Sequence, residues 1–412
     1  MLSRIPDRNI WLIDGAIFLL GLGYGITLSI LALFLDGRGF EKAQIGSLAA
    51  WFALGIVCLS IPMGHLIRRF SARTMLVASL GGYAVAVAVF PFLPSYAAMA
   101  ADRFIDGACS VGIWVSCETV LLTRAERRNQ AFVTSVYAIS MALGYVFGPL
   151  VAKLLVAFWP PSSAFLVAGV IAAMASLMIR LRLDPDLDVD GHHGLRVPSE
   201  DAAPRVDRAP AASSLAVFRR IKTSCFATFA YGYFQSSVVL FLPLYLVEHK
   251  GITRDQTILI PAFFAVGMLG FSNVAGRLGD RYGHLLLMRG LAVVGTLMIL
   301  GFVFLDQYAA MCAAVFVAGA SLASISPVSL ALQGVITQPA DLSRSNAVYN
   351  VFYAGGMLLG PTISSWIYQT RGGVPMLYHL VVMWSAFIVF SLVFAADDPA
   401  VARRRAAALL LP

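Results

Sequence analysis

Gly276-Arg277-Leu278-Gly279-Asp280-Arg281-Tyr282-Gly283 is a short charged stretch set between two long apolar runs, and it has a degenerate twin earlier in the chain, Gly64-His65-Leu66-Ile67-Arg68-Arg69-Phe70. The opening glycines are 212 positions apart. The same offset carries Gly144, Gly148 and Pro149 onto Gly356, Gly360 and Pro361, Phe104, Gly107 and Ala108 onto Phe316, Gly319 and Ala320, and Val136-Tyr137 onto Val348-Tyr349. Near the start the offset becomes 211, where Leu31-Ala32-Leu33-Phe34-Leu35 meets Leu242-Pro243-Leu244-Tyr245-Leu246, as a one-residue change in a loop produces. One offset shared by separate segments implies duplication, so the chain reads as two related halves.

The 412 residues are 59% hydrophobic and only 13% charged, with a mean hydropathy of +0.80, a balance that belongs to a membrane protein. The net charge of +8 does not point to nucleic acid, because the basic residues sit at the ends of apolar runs instead of forming an aromatic-interleaved surface. Cys58, Cys109, Cys117, Cys225 and Cys312 all lie within apolar runs without CxxC spacing, so neither a disulfide framework nor a metal site is indicated. No cofactor is expected. The first apolar run lacks a small-residue cleavage site and is long enough to span, which marks a retained helix and not a removable signal peptide.

A hydrocarbon core of about 30 Å takes roughly 20 apolar residues per helix. Twelve runs qualify, six per half: 10–35, 45–67, 74–93, 96–122, 131–157 and 162–182, then 221–247, 256–277, 287–305, 308–335, 346–368 and 376–396. The expected organisation is an all-α membrane protein with bundles at 1–182 and 217–412, joined by a polar linker at 183–216 that holds Asp184, Asp186, Asp188, Asp190, His192 and His193. The paired histidines are read as part of a solvated linker. With both termini in the cytoplasm, the inner loops and tails carry 23 Lys and Arg, among them Arg68, Arg69, Arg124, Arg127, Arg128, Arg219, Arg220, Arg344 and Arg403 to Arg405. The outer loops carry five: Arg38, Lys42, Lys250, Arg254 and Arg371. That bias sets the expected orientation, with the N terminus inside.

Six plus six helices, a central linker and the stretch GRLGDRYGH resemble the major facilitator superfamily over essentially the full length. Arg103-xxx-Gly107 is similar to a helix-4 motif of that superfamily, and Gly144-xxx-Gly148-Pro149 to the helix-5 motif common in its drug antiporters. The run from Arg103 through Asp106 and Gly107 to Trp114, Cys117 and Glu118 resembles its YcaD-like bacterial branch. The resemblance implies two bundles rocking about a central cavity lined by helices 1, 4, 7 and 10, with a gate formed by Gly64, Arg68 and Arg69 on one side and by Gly276, Asp280, Arg281 and Gly283 on the other. The first loop departs from the pattern, with Arg68 where an aspartate is expected and Ser71 where a glycine is expected. Asp280 is therefore expected to face the positive start of helix 5 alone, near Arg124, Arg127 and Arg128.

Ionisable groups are costly inside a bilayer and mark function by default. Asp14, Asp102, Arg103, Asp106, Glu118 and Lys153 all fall in the first half, so coupling chemistry is expected on helices 1, 4 and 5. Arg103 and Asp106, three apart, share a helical face. They form either a self-neutralised structural pair or an exchangeable one whose carboxylate takes up a proton as substrate leaves. Asp14 and Glu118 share a depth and admit an acidic pair between helices 1 and 4; Glu118 also fits a plain interfacial residue. Lys153 reads as a snorkelling residue. Tyr24 and Thr27, Trp114, Tyr231 and Gln235, and Asn350 and Tyr353 offer a substrate surface, helix packing and an interfacial aromatic belt being the alternatives.

The function expected is secondary transport by alternating access, with proton-coupled export of a small organic or amphipathic compound ahead of uptake of a sugar or organic acid. The partners are the substrate, protons and the lipid bilayer, and the chain is read as a monomer. No GxxxxGK[ST] loop, HxxxH cluster or nucleophile motif in a suitable context argues for an ATP-driven pump or an enzyme. A non-transporting receptor or assembly factor is the remaining alternative.

Overall fold

A computed structural model describes residues 7–125, 129–184, 213–338 and 341–398. Within them twelve long helices alternate in direction through the bundle. The first half contains α1 (Arg8–Gly37), α2 (Lys42–Phe70), α3 (Ala72–Val89), α4 (Tyr96–Arg124), α5 (Gln130–Phe158) and α6 (Ser162–Arg182). The second contains α7 (Ser214–Lys250), α8 (Ile260–Tyr282), α9 (His284–Phe302), α10 (Tyr308–Ile336), α11 (Leu342–Arg371) and α12 (Gly373–Val393). A one-turn helix at Arg254–Thr257 leads into α8. Eleven spans among the described residues are long and apolar enough to cross a membrane; α11 is not among them, its sequence being diluted by Asn350, Pro361 and several Gly, Ser and Tyr residues. The linker, with His192 and His193, lies largely outside the described residues, as do Arg127, Arg128 and Arg403 to Arg405. Helix α7 already begins at Ser214, inside the stretch expected to be linker.

The helices start where the sequence supplies caps. Asp7 accepts a hydrogen bond from the Asn9 backbone N–H at 2.8 Å, Ser95 from that of Ala98 at 3.3 Å and Ser213 from that of Ala216 at 3.2 Å. Each satisfies one of the donors that a first helical turn leaves unpaired. Each half is also clamped from its first helix to its last. Asn9 and Asp184 exchange bonds of 2.9 and 3.1 Å, and Lys222 and Thr223 reach Asp397 at 2.8 and 2.6 Å.

The duplication seen in the sequence is present in the packing. Helix α2 crosses α4 at Gly55 and Gly107, and α8 crosses α10 at Gly267 and Gly319. A Cβ on Gly107 would run into the Phe52 carbonyl, and one on Gly319 into the Phe264 carbonyl. The motif glycines of α5 and α11 do the same work in the other pairing. Gly144 and Gly148 lie against the backbone of Gly21 and Gly25 in α1, while Gly356 and Gly360 lie against Phe229 and Tyr233 in α7. With no hydrophobic drive between helices in lipid, such close backbone approach supplies the dispersion contact that holds them together.

The corners that follow α2 and α8 are also equivalent. Gly283 takes φ 103°, a conformation open to glycine, and its counterpart Ser71 takes φ 74° despite its Cβ. Ser71 gains in return a cap on α3, its hydroxyl accepting from the Thr74 backbone N–H at 3.2 Å.

Candidate transport cavity

Between the halves lies a cavity of about 300 Å³, at the lower end of the range for small-molecule sites. Its two walls use the same backbone positions. Tyr24 on α1 and Gln235 on α7 are counterparts, as are Phe52 and Phe264 on α2 and α8, Met141 and Tyr353 on α5 and α11, and Tyr145 and Met357 one turn further along; all eight line it. The walls are alike in backbone and unlike in chemistry. Every charged lining residue comes from α4 in the first half: Asp102, Arg103 and Asp106.

The expectation that α10 lines the cavity alongside α1, α4 and α7 is not met. Its positions equivalent to the α4 charges hold Ala314, Val315 and Ala318, side chains too short to pass α8, and they line instead a separate apolar pocket of about 40 Å³ inside the second half. Helices α2, α5, α8 and α11 supply wall in addition to α1, α4 and α7.

Arg103 and Asp106 form an ion pair on one face of α4, with Asp106 only 2% exposed. The guanidinium also lies over the Phe52 ring, 4.5 Å from its centroid, and Ser110 donates to the Asp106 backbone carbonyl at 2.8 Å. Asp102, part-buried, lines the cavity without an ion-pair partner among the described residues. Around these charges the aromatic side chains are ordered in two groups. Tyr24 stacks on Tyr145 at 6.2 Å and meets Trp114 at 6.3 Å, while Tyr231 stacks on Tyr353 at 6.2 Å. Tyr353 donates its hydroxyl proton to Gln235 Oε1 at 3.1 Å. The Tyr24 hydroxyl and the Trp114 indole N–H are buried with no hydrogen-bond partner among the described residues.

Of the expected substrate residues, Tyr24, Thr27, Trp114, Tyr231, Gln235 and Tyr353 meet at this cavity. Asn350 does not: it lies on an exposed part of α11, about one turn nearer the start of the helix than Tyr353. Asp14 and Glu118 also stand apart from the lining. Asp14 is 3% exposed, and neither of its carboxylate oxygens has a hydrogen-bond partner among the described residues. Glu118 is exposed, and no bond joins the two; buried Cys117 and Tyr137 lie within electrostatic reach of both. Lys153 is part-buried on α5, away from the lining. Met141, Tyr145 and Phe52 were not singled out in the sequence, and Asp102 was named there only among the costly ionisable groups, without a role of its own. Asp102 was detectable, being four residues from Asp106 and thus on the same helical face.

The gate residues lie at the end of the bundle remote from the α1–α2 loop. Asp280 pairs with His284 on its own corner at 3.2 Å with its side chain 75% exposed, and Arg124 is engaged by Asp7 at 3.6 Å and by the Asp184 carbonyl at 3.4 Å. No ion pair joins Asp280 to Arg124 in this structure, and Arg127 and Arg128 lie outside the described residues. Arg68 and Arg69 are exposed, and Arg69 and Arg281 lie over the adjacent Phe70 and Tyr282 rings, both at 5.2 Å. A Cβ on Gly276 would meet nothing within 4 Å.

At the opposite end the halves are latched. Lys42 bonds Asp36 and Glu248, both at 2.6 Å, and Arg254 reaches Asp36 at 3.1 Å. Gln369 accepts from the Ala43 backbone N–H at 2.9 Å and donates to Glu41 at 2.8 Å. Leu31 at the cavity wall is only about 7.5 Å along α1 from Asp36, at 1.5 Å per residue.

Two homologous six-helix halves that share a cavity and are latched above it define a multi-pass membrane transport protein built for movement of one half against the other. The chain belongs to the Major Facilitator Superfamily, whose family model matches residues 13–224 and 224–410. It is 23% identical over 376 residues to the uncharacterized MFS-type transporter YfkF of Bacillus subtilis (strain 168), covering 90% of this chain and 92% of that one. It is 24% identical over 371 residues to the YcaD transporter of Escherichia fergusonii, covering 89% and 90%. Among solved structures, nucleoside transporter NupG superposes with a TM-score of 0.73 at 13% identity, over 95% of this chain and 99% of that one. A bacterial homolog of the human lysosomal transporter Spinster, inward-facing and occupied, superposes with a TM-score of 0.75 at 11% identity, over 94% and 96%. The chain is thus an MFS transporter of the YcaD-like branch, with the all-α fold of that superfamily.

Proposed function

We propose that this transporter works by alternating access as a proton-coupled antiporter, exporting a small amphipathic organic compound across a bacterial inner membrane with both termini in the cytoplasm. The observation that carries the reading is the Arg103–Asp106 pair, buried at the wall of the cavity that both halves share. A buried ion pair is weak evidence for stability, since well-packed apolar residues hold a helix bundle as well or better, so its placement at a substrate cavity favours exchange over scaffolding. A substrate that competes for the Asp106 carboxylate, or for Asp102 beside it, excludes a proton there, and a proton that arrives displaces the substrate. The titratable groups within electrostatic reach of Asp106 among the described residues are Arg103, Asp102 and Cys109 on α4, with Tyr24 and Tyr83 from α1 and α3. Asp14, buried and without a hydrogen bond among the described residues, is the second candidate carrier. The latched end is then the outer one, and the substrate enters from the cytoplasmic side.

Proteoliposomes loaded with a fluorescent amphipathic compound and given a pH gradient test this directly. Gradient-driven flux is expected in the native protein, with Asp106→Asn or Asp14→Asn losing the gradient dependence while keeping substrate-for-substrate exchange. Flux that ignores the gradient in the native protein would show a facilitator instead.

A further inference from the structure

The lining of the cavity holds two carboxylates and one guanidinium. Arg103 is paired with Asp106, which leaves Asp102 as a carboxyl group without an ion-pair partner among the described residues, in a wall otherwise mostly apolar and aromatic. Several of the neutral polar groups nearby are engaged within the protein. Thr27 donates to the Gly23 carbonyl at 3.0 Å, Ser236 to the Gly232 carbonyl at 2.7 Å, and Gln235 accepts from Tyr353. A sugar or nucleoside, which needs several hydrogen bonds to replace its water, finds few here. An anion finds its one cationic group, Arg103, already paired with Asp106. A cation gains from both features of the wall, because an aromatic face attracts positive charge and Phe52 already carries the Arg103 guanidinium over its ring.

We propose that the cavity binds a monovalent organic cation carrying an aromatic or apolar body, with Asp102 neutralising its charge and the Tyr24, Tyr145 and Trp114 rings packing against its body. The proposal rests on the cavity being the substrate site, as the functional reading has it, and is independent of proton coupling.

Isothermal titration of the purified full-length protein in non-ionic detergent tests it with two water-soluble probes of similar size, benzyltrimethylammonium and benzenesulfonate. The quaternary cation has no exchangeable proton, so its binding reports charge recognition alone. It can therefore succeed where gradient-driven flux fails, or fail where flux succeeds. The expected result is saturable binding of the cation, little or none of the sulfonate, and a loss of cation affinity of about tenfold or more in Asp102→Asn, which keeps shape and removes charge. Sulfonate binding equal to that of the cation, no cation binding, or unchanged cation affinity in a folded Asp102→Asn protein overturns the proposal. The comparison of the two probes on the native chain stands even if the variant does not fold.

Discussion

Lys42 on α2 and Glu248 on α7 approach to 2.6 Å and so join the two halves directly, beside a second link from Arg254 to Asp36. Glu248 also accepts from the Tyr368 hydroxyl at 2.7 Å, so the carboxylate is held by both sides of the junction.

Removal of that link should loosen the latched end. The pair is part-exposed, so its worth is on the order of 1 kcal/mol, about a fivefold shift in population. In a background without the five native cysteines, Lys42→Met should raise the labelling of a cysteine placed at Val239 by an impermeant maleimide added from the latched side. Equal labelling with and without Lys42 would show that the backbone crossings, and not the ion pairs, keep this end shut.

The glycine crossings make a second, sharper case. Gly107→Ala and Gly319→Ala each force a methyl into a carbonyl of the partnering helix and should destabilise by roughly 1–3 kcal/mol, seen as a lowered thermal midpoint in detergent. Gly276→Ala, with open space around the added methyl, should be neutral or stabilising, because alanine is the better helix former by up to about 1 kcal/mol. Similar midpoints for all three variants would remove the packing account.

At the α2–α3 corner two opposed effects meet in one residue. Ser71 holds φ 74° and ψ 152°, a region nearly reserved for glycine that costs on the order of 1–3 kcal/mol, while its hydroxyl caps α3. Ser71→Ala keeps the strain and loses the cap, a further loss of about 1 kcal/mol. Ser71→Gly relieves the strain and should be the more stable of the two by thermal unfolding. Both variants lack the hydroxyl, so the reverse order would mean that this corner carries no strain that glycine relieves.

Asp14 and Asp106 should respond oppositely to the same chemical change. Asp14 is buried with neither oxygen hydrogen-bonded among the described residues, so Asp14→Asn replaces a desolvated carboxylate by a neutral amide of the same shape and should raise the thermal midpoint. Asp106→Asn leaves Arg103 buried without its counter-ion and should lower it, by an effect of about 3 kcal/mol or more. A midpoint raised by Asp106→Asn would mean that water, and not the carboxylate, satisfies the guanidinium.

The duplication, the twelve helices and the membrane setting were all legible in the chain, because they rest on local quantities. Hydropathy over roughly 20 residues reports the cost of exposing a segment to lipid, and a constant offset of 212 between glycine motifs survives whatever the helices later touch. The glycines of α5 and α11 could be found as a pattern, and the structure shows each of them at a backbone crossing.

The members of the site could not all be found that way, because a cavity is shared by residues far apart in sequence. Nothing along α10 indicates that Ala314 and Val315 fall behind α8, nor along α11 that Tyr353 faces Gln235 while Asn350 stays outside the wall. Asp280 shows the same limit at the other end of the bundle. Its charge suggested a partner across the molecule, whereas the fold of its own corner pairs it with His284. Periodicity tells which residues share a helix face; which neighbour that face meets, and with which partner a charge settles, follows from the relative placement of twelve helices, where a shift of one turn exchanges one contact for another.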